Sequence, residues 1–371
     1  VAAEMDRVRR TAWGNPASQH VIGRRAAAVV EDARSKIAQS LACLPEEVIF
    51  TSGATEANNL IIKGLLTPLW RLWRGGRAQC PPHVISTPVE HQSVLDPLRR
   101  LQRWGVEVTW LPIDGQGRVR SADLAKNLKP NTALVSVIWA NNEIGTLQPI
   151  GELAEVCRAA GVPFHTDAVQ AVGRIDVDWS AAGVDAISLS AHKLGGPQGI
   201  GALVLRRALQ RRCEPLCDGG GQERHLRSGT QPVTLIAGFA TAVQLATQNL
   251  AVNRRHLESL QQRLLERLRA GLPELIVNGP LDERLPGNLN ISIPGVDGEA
   301  LWAHLDGLAV SSGAACSSGD PQPSHVLRAI GIPESLARAT LRFGIGPYNT
   351  AEHIDRAADI VCRAVRELRS A

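Results

Sequence analysis

Lysine is scarce in this chain. Forty of its 371 residues are Lys or Arg, yet only five are Lys: Lys36, Lys63, Lys126, Lys129 and Lys193. Codon usage accounts for that bias without any function, but it makes a lysine inside an apolar stretch conspicuous. No apolar run approaches the ~18 residues of a membrane span, and no N-terminal stretch reads as a secretory signal. No G-x-G-x-x-G follows a strand and no G-x-x-x-x-G-K-[ST] occurs, which weighs against dinucleotide and P-loop sites. Dense basic runs are absent too. The net charge of +4 and pI near 8.8 are too mild to demand nucleic acid. The seven cysteines are odd in number and scattered, in a chain too large to need disulfide staples. That usage points to a reducing, cytoplasmic setting. Cys213, Cys217 and His225 have poor spacing for zinc, so no resident metal is expected. There are no internal repeats and no low-complexity segment.

What is present suits a sizeable core. Hydrophobic residues make up 44% of the chain and charged residues 20%, over a length that fits two domains. Short apolar runs alternate with helical periodicity, the α/β pattern. Strands are expected at 47–51, 106–111, 133–139, 162–167, 185–190 and 201–205, with helices at 54–66 and 151–160. After Pro232 the character changes. A long amphipathic helix is expected over 234–270, then short strands near Leu275 and Leu289 and a helix at 299–308. A strand leading into Val310 and another at 340–344 follow, before a final helix capped by Asn349 or Thr350. The domain boundary falls inside the long helix, near residue 250.

Several segments carry candidate chemistry. Lys193, in SAHKLGGP (190–197), ends an apolar strand. Desolvated there, it can act as an amine nucleophile that forms a Schiff base with a carbonyl; on position alone a snorkelling strand-end lysine is the commoner reading. His165 and Asp167, in HTDAVQ (165–170), share one strand face by period-2 alternation. The Asp167 carboxylate can pair with a protonated ring nitrogen such as a pyridinium, or simply cap the next turn. TSGATE (51–56) runs from a strand into a helix, where free N–H groups and the helix dipole seat an anion, or where Ser52 and Thr55 act as ordinary caps. Cys316 lies among small residues in SSGAACSSG (311–319), a composition suited to an exposed, moving nucleophile. The other six cysteines mostly sit among apolar or helical neighbours, as fillers. EHQS (90–93), NNEIG (141–145), GGGQER (219–224), RSGT (227–230) and Arg342 are individually weak signals.

Taken in order, SGATE, EH, NNEIG, HTDAVQ, AHK, RSGT and SSGAAC resemble one family. The chain is similar to the cysteine desulfurases, pyridoxal phosphate (PLP) enzymes of the aspartate-aminotransferase fold type, and most of all to the iron–sulfur cluster assembly branch. The likeness runs from GNPAS (14–18) to about Phe343. It implies an α/β fold, the PLP-dependent transferase fold type I. A large PLP-binding domain, 1–249, would hold a mixed, mostly parallel seven-stranded sheet flanked by helices. A smaller α+β domain, 250–371, would carry the catalytic Cys loop.

The resemblance also implies roles. Lys193 would hold PLP and move the substrate's Cα proton. Asp167 would pair with the pyridine nitrogen, Gln170 would bond the ring's phenolic oxygen, and His91 would stack on the ring and help deprotonate the substrate thiol. Ala54, Thr55, Ser190 and His192 would hold the phosphate, with Thr230 arriving from the second subunit of a homodimer. Asn142, at the cofactor, and Arg342 would bind the substrate carboxylate. Cys316 would take sulfur from L-cysteine as a persulfide, leaving L-alanine. The loop from Cys316 to Ser324 resembles the longer loop of the cluster-assembly branch, implying direct transfer to an iron–sulfur scaffold or a carrier for thio-cofactor or tRNA synthesis, with Cys316 a transient iron–sulfur ligand. No direct nucleic acid or membrane contact is implied. A selenocysteine or cystine lyase of the same fold is the close alternative, and a catalytically silent sulfur-carrier partner the more distant one. The chain departs from the family pattern twice. The family opens with a strand and an Ala-Thr-Thr-Pro-like turn, expected here upstream of Val1. His225 stands where glycine is expected.

Overall fold

The computed structural model describes residues 1–311 and 323–370. It divides into two compact units. The first comprises Val1–Leu111, Arg120–Trp139 and Pro149–Leu250; the second comprises Pro112–Val119, Ala140–Gln148 and the chain from Ala251 onward. The last stretch of the first unit ends at Leu250. The two short stretches that join the second unit were not expected, because local pattern carries no record of which unit a loop packs on.

The first unit is built on seven strands: β1 (Val48–Thr51), β2 (His83–Ser86), β3 (Glu107–Trp110), β4 (Thr132–Ser136), β5 (Phe164–Asp167), β6 (Ala186–Ser190) and β7 (Gly201–Leu205). Their spatial order is β1-β7-β6-β5-β4-β2-β3. Only β7 runs against its neighbours, so the sheet is mixed and mostly parallel. Central strands are buried on both faces, which is why 186–190 and 201–205 read as nearly continuous apolar runs.

Helices α1 (Val21–Leu41), α2 (Ala54–Arg74), α3 (Gln92–Arg103) and α4 (Val233–Gln248) also belong to this unit. Leu60, Ile61 and Leu65 bury one face of α2. The helix runs past the expected end at residue 66 and includes Pro68. Leu69 and Trp70 pack on the core beyond the proline, and that packing offsets the lost backbone bond. The long helix expected over 234–270 is two helices. The first, α4, ends at Asn249, whose side-chain amide donates to the Leu245 carbonyl at 2.8 Å. Side-chain bonding of this kind competes with the helix ladder.

In the second unit, β8 (Ile276–Val277), β9 (Asn288–Ser292) and β10 (Thr340–Gly344) form an antiparallel sheet ordered β10-β9-β8. Helices α5 (Leu250–Gly271) and α6 (Ala351–Ser370) cover a shared core. Leu257, Leu260, Leu264 and Leu268 supply the α5 stripe, and Ile354, Ala358, Val361 and Val365 the α6 stripe. Thr350 accepts from the His353 N–H at the start of α6, as its sequence suggests. The strand expected to lead into Val310 does not form. Ser311 makes a single two-bond bridge with Arg342 instead. No single described helix is long and apolar enough to cross a membrane.

Candidate active site

The first unit gathers most of the implicated residues at the ends of β1, β5 and β6. Strand β1 exits through Thr51, Ser52 and Gly53 into α2. The α2 N-cap, Gly53, offers no side chain, and no side-chain bond caps the helix. A 21-residue helix therefore starts with its N–H groups open at Ala54 and Thr55, the requirement for seating an anion.

Gly201 brings this turn beside the end of β6. It pairs with Thr51 on one side and Ser190 on the other. A Cβ there would lie 2.4 Å from the Leu189 carbonyl oxygen and 2.7 Å from the Gly53 Cα. Only glycine permits that approach. Ser190 Oγ is hydrogen-bonded to His192 Nδ1 at 2.8 Å. The His192 ring is held below the ordinary histidine range by partial burial, and then by the Lys193 ammonium. Lys193 sits in a 3₁₀ turn, Ala191–Leu194, closed by Gly195 in the left-handed conformation at φ 75°. Its side chain is exposed.

Asp167 ends β5 and is buried. Its Oδ1 accepts from the Val169 N–H at 3.1 Å and its Oδ2 from Asn58 Nδ2 at 2.7 Å. Gln170 follows in a half-buried turn. His165, on the same strand, does not act there. Its nitrogens lie 2.8 Å from Ser136 Oγ and 3.0 Å from Ser188 Oγ, and burial pushes its pKa down to about 3. It is a neutral strut between β4 and β6.

His91 is the N-cap of α3, and its Nδ1 accepts from the Ser93 N–H at 3.1 Å. Beside it, Glu90 Oε1 accepts from Thr87 Oγ1 at 2.7 Å and from the Ile138 N–H at 2.9 Å. Burial, with Asp167 adding to it, pushes the Glu90 carboxyl up to about 8 against those two donors. Glu90 is therefore mostly protonated at neutral pH, and it stitches the ends of β2 and β4 as a near-neutral group.

Thr230 is exposed on a loop with firm anchors. Glu223 makes two 2.9 Å bonds to Arg34, accepts from the Phe50 N–H at 2.8 Å, and accepts from Gln231 Nε2. Arg227 Nε donates to Glu56 at 3.0 Å, and the same carboxylate accepts from the Ser52 N–H at 2.7 Å. The Thr230 loop is thus tied to the turn that precedes α2. Motif reading singled out none of Arg34, Glu56, Glu223 or Arg227 for this work. Only Glu56 and Glu223 carried a signal, as acidic residues inside small-residue stretches; Arg34 and Arg227 carried none.

His225 now has an account. Glu223, Arg224 and His225 adopt φ of 45°, 57° and 64°, three left-handed residues in succession. Glycine suits such a position because it has no Cβ to clash. Here the His225 ring packs on Gly221, where a Cβ would come within 2.6 Å of it. We expect His225→Gly to stabilise the fold by about 0.5–1 kcal/mol. Relief of ~1–2 kcal/mol of left-handed strain exceeds the added freedom of the unfolded chain. A thermal melt that shows no rise contradicts this.

In the second unit, Arg342 on β10 donates to the Asn142 carbonyl oxygen at 3.4 Å. Asn288 and Asn290 donate to the carbonyls of the NNEIG segment. The two implicated carboxylate-binding residues are therefore neighbours. Cys316 lies outside the described residues. Of the other cysteines, Cys157 and Cys213 are buried, and burial pushes the thiols of Cys43, Cys157 and Cys213 up to about 12. They are protonated fillers. Cys80 and Cys217 are exposed, against the filler reading for those two. Among the described residues no three His, Cys, Asp or Glu gather where a metal ion could be held.

The first-unit residues fit pyridoxal phosphate. An uncapped helix end beside Ser190 and His192 suits its phosphate, a buried hydrogen-bonded carboxylate suits a protonated ring nitrogen, and an exposed lysine suits its aldehyde. Comparison with known proteins agrees. The aminotransferase class-V family matches residues 1–357. A mitochondrial cysteine desulfurase of Arabidopsis thaliana is 45% identical over 96% of this chain and 77% of its own length. A cysteine desulfurase IscS of Rickettsia bellii is 42% identical over 97% of this chain and 86% of its own. Among solved structures, a NifS-like protein superposes with a TM-score of 0.90 at 34% identity, covering 99% of this chain and 95% of that one. The protein SspA, solved in complex with cysteine, has a TM-score of 0.80 at 33% identity, covering 94% of this chain and 95% of that one. The chain belongs to the cysteine desulfurase family, PLP-dependent enzymes of the class-V aminotransferase group with fold type I.

Proposed function

We propose that this cysteine desulfurase converts L-cysteine to L-alanine and holds the released sulfur as a persulfide on Cys316. The observation that carries the reading is the uncapped α2 N-terminus set against Ser190 and His192, on the unit whose β5 ends in the buried Asp167. Bound PLP supplies an aldehyde that captures amines and a ring that withdraws electrons from the substrate's Cα. The chain does the rest. The N–H groups of Ala54 and Thr55, with Ser190 and His192, hold the phosphate. Asp167 holds the proton on the ring nitrogen, and Gln170 bonds the phenolic oxygen. His91 would stack on the ring and help deprotonate the substrate thiol by hydrogen-bonding the thiolate. Lys193 Nζ takes the Cα proton. Asn142 and Arg342 orient the substrate carboxylate, Arg342 through its planar fork. The Cys316 thiolate then attacks the substrate sulfur. An S–S bond forms as the Cβ–S bond breaks, the electron pair left on Cβ takes up a proton, and Lys193 returns a proton to Cα, giving alanine.

The finer reading concerns setting and partners. The anchored, exposed Thr230 suits a homodimer in which Thr230 reaches the phosphate of the second subunit. The six described cysteines are free thiols, which suits a cytoplasmic location. The acceptor is an iron–sulfur scaffold or a sulfur-carrier protein, with no direct part for nucleic acid or membrane. The deciding experiment is mass spectrometry of PLP-loaded protein after exposure to L-cysteine. One added sulfur on the Cys316 peptide, with alanine formed, is expected. Alanine formed without that added sulfur would refute the persulfide step.

A further inference from the structure

Four side chains from three elements meet between the ends of the sheet. Asn58, on the second turn of α2, is fully buried. Its Nδ2 donates to Asp167 Oδ2 at 2.7 Å and to Ser93 Oγ at 2.8 Å. Ser93 Oγ in turn lies 2.7 Å from His91 Nδ1. We propose that Asn58 and Ser93 form a one-directional hydrogen-bond relay that ties Asp167 to His91 and fixes the His91 ring as its Nε2–H tautomer.

The direction follows from what each group can do. An ionised carboxylate only accepts, so Asn58 must turn its nitrogen toward Asp167. The second amide hydrogen then points at Ser93 Oγ, which accepts it. The hydroxyl's own hydrogen is left for His91 Nδ1. That nitrogen also receives the Ser93 backbone N–H at 3.1 Å, and a backbone N–H can only donate. Two donors converge on Nδ1, so Nδ1 presents its lone pair and the ring's hydrogen sits on Nε2.

In that tautomer Nε2–H is a donor, so His91 steadies a substrate thiolate by donating through Nε2 and takes up no proton there. A proton on Nδ1 would have to break the α3 cap. The relay also couples two groups that the functional reading places at opposite jobs: Asp167 at the ring nitrogen and His91 against the ring face. The proposal rests on that reading for its catalytic meaning, but not for its geometry. Asn58 and Ser93 are positioning residues, acting through Asp167 and His91.

The test has two arms. In cofactor-free protein, the ¹⁵N shifts of the His91 imidazole report the tautomer directly. Wild type is expected to show Nε2–H alone. Ser93→Ala, which leaves only the backbone donor, and Asn58→Leu, which frees the hydroxyl to rotate, are expected to show averaged shifts from two tautomers. Ser93→Thr keeps a hydroxyl and is expected to restore the wild-type pattern. An Nδ1–H wild type, or Ser93→Ala and Asn58→Leu shifts identical to wild type, would overturn the relay. In PLP-loaded protein, circular dichroism of the cofactor band reports ring orientation. Both disrupting variants are expected to lose most of that signal and to show kcat about tenfold lower with KM little changed. Unchanged dichroism and kcat in both would overturn the coupling. If Asn58→Leu does not fold, Ser93→Ala and Ser93→Thr decide alone. A wild type that binds no PLP would refute the functional reading while leaving the tautomer arm to stand or fall by itself.

Discussion

Lys193→Ala is expected to yield a folded, colourless protein with no covalently attached cofactor, and turnover of L-cysteine at least ~10³-fold below wild type. Two jobs are lost with one amine: anchoring the aldehyde and moving the Cα proton, and general base removal alone accounts for roughly 10²–10⁴. The competing lysine is Lys63. It lines a groove with Thr55 and His91, and its ammonium is held below the usual lysine range by burial and by Arg100. Lys63→Ala is the control, expected to stay yellow and active. Lys36 and Lys129 are engaged with Asp32 at 2.7 Å and Glu107 at 3.0 Å. Visible absorbance and peptide mapping after borohydride reduction read the result. A yellow Lys193→Ala beside a colourless Lys63→Ala would move the anchor to Lys63.

Cys316→Ala is expected to do the opposite: full colour, normal cofactor content, and sulfide release from L-cysteine reduced at least ~10³-fold. The methyl group cannot attack sulfur, so the C–S bond has no partner to which sulfur can pass. The variant is informative because cofactor binding and sulfur transfer separate in it. Undiminished release would identify a lyase that needs no protein thiol, and selenocysteine or cystine would then be the substrates to assay. Loss of colour as well would show that the 312–322 segment supports cofactor binding.

The strands of the first unit's centre were legible because burial on both faces leaves an apolar run whatever the neighbours are. Ala186–Ser190 and Gly201–Leu205 lie within one residue of their expected bounds. The long helix over 234–270 was misread because both halves keep helical periodicity, and only the side-chain amide of Asn249 marks the stop. Alternation put His165 on the same strand face as Asp167. Its surroundings, two serines on flanking strands, make it a strut instead.

By itself the sequence determined the family and named the candidate groups: one lysine after an apolar strand, one carboxylate two residues beyond a histidine, one cysteine among small residues, in an order that matches a single class of enzyme. These are local facts, since a motif's chemistry resides in its own side chains. The tertiary structure alone decided how those groups are held. Asn58 meets Ser93 and Asp167 across 35 and 109 residues of chain, and Arg34 meets Glu223 across 189. The protonation of Glu90 depends on burial no neighbour in sequence reveals. Hydrogen-bond direction and dielectric surroundings are properties of the packed neighbourhood, and packing is set by contacts between segments that the sequence places far apart.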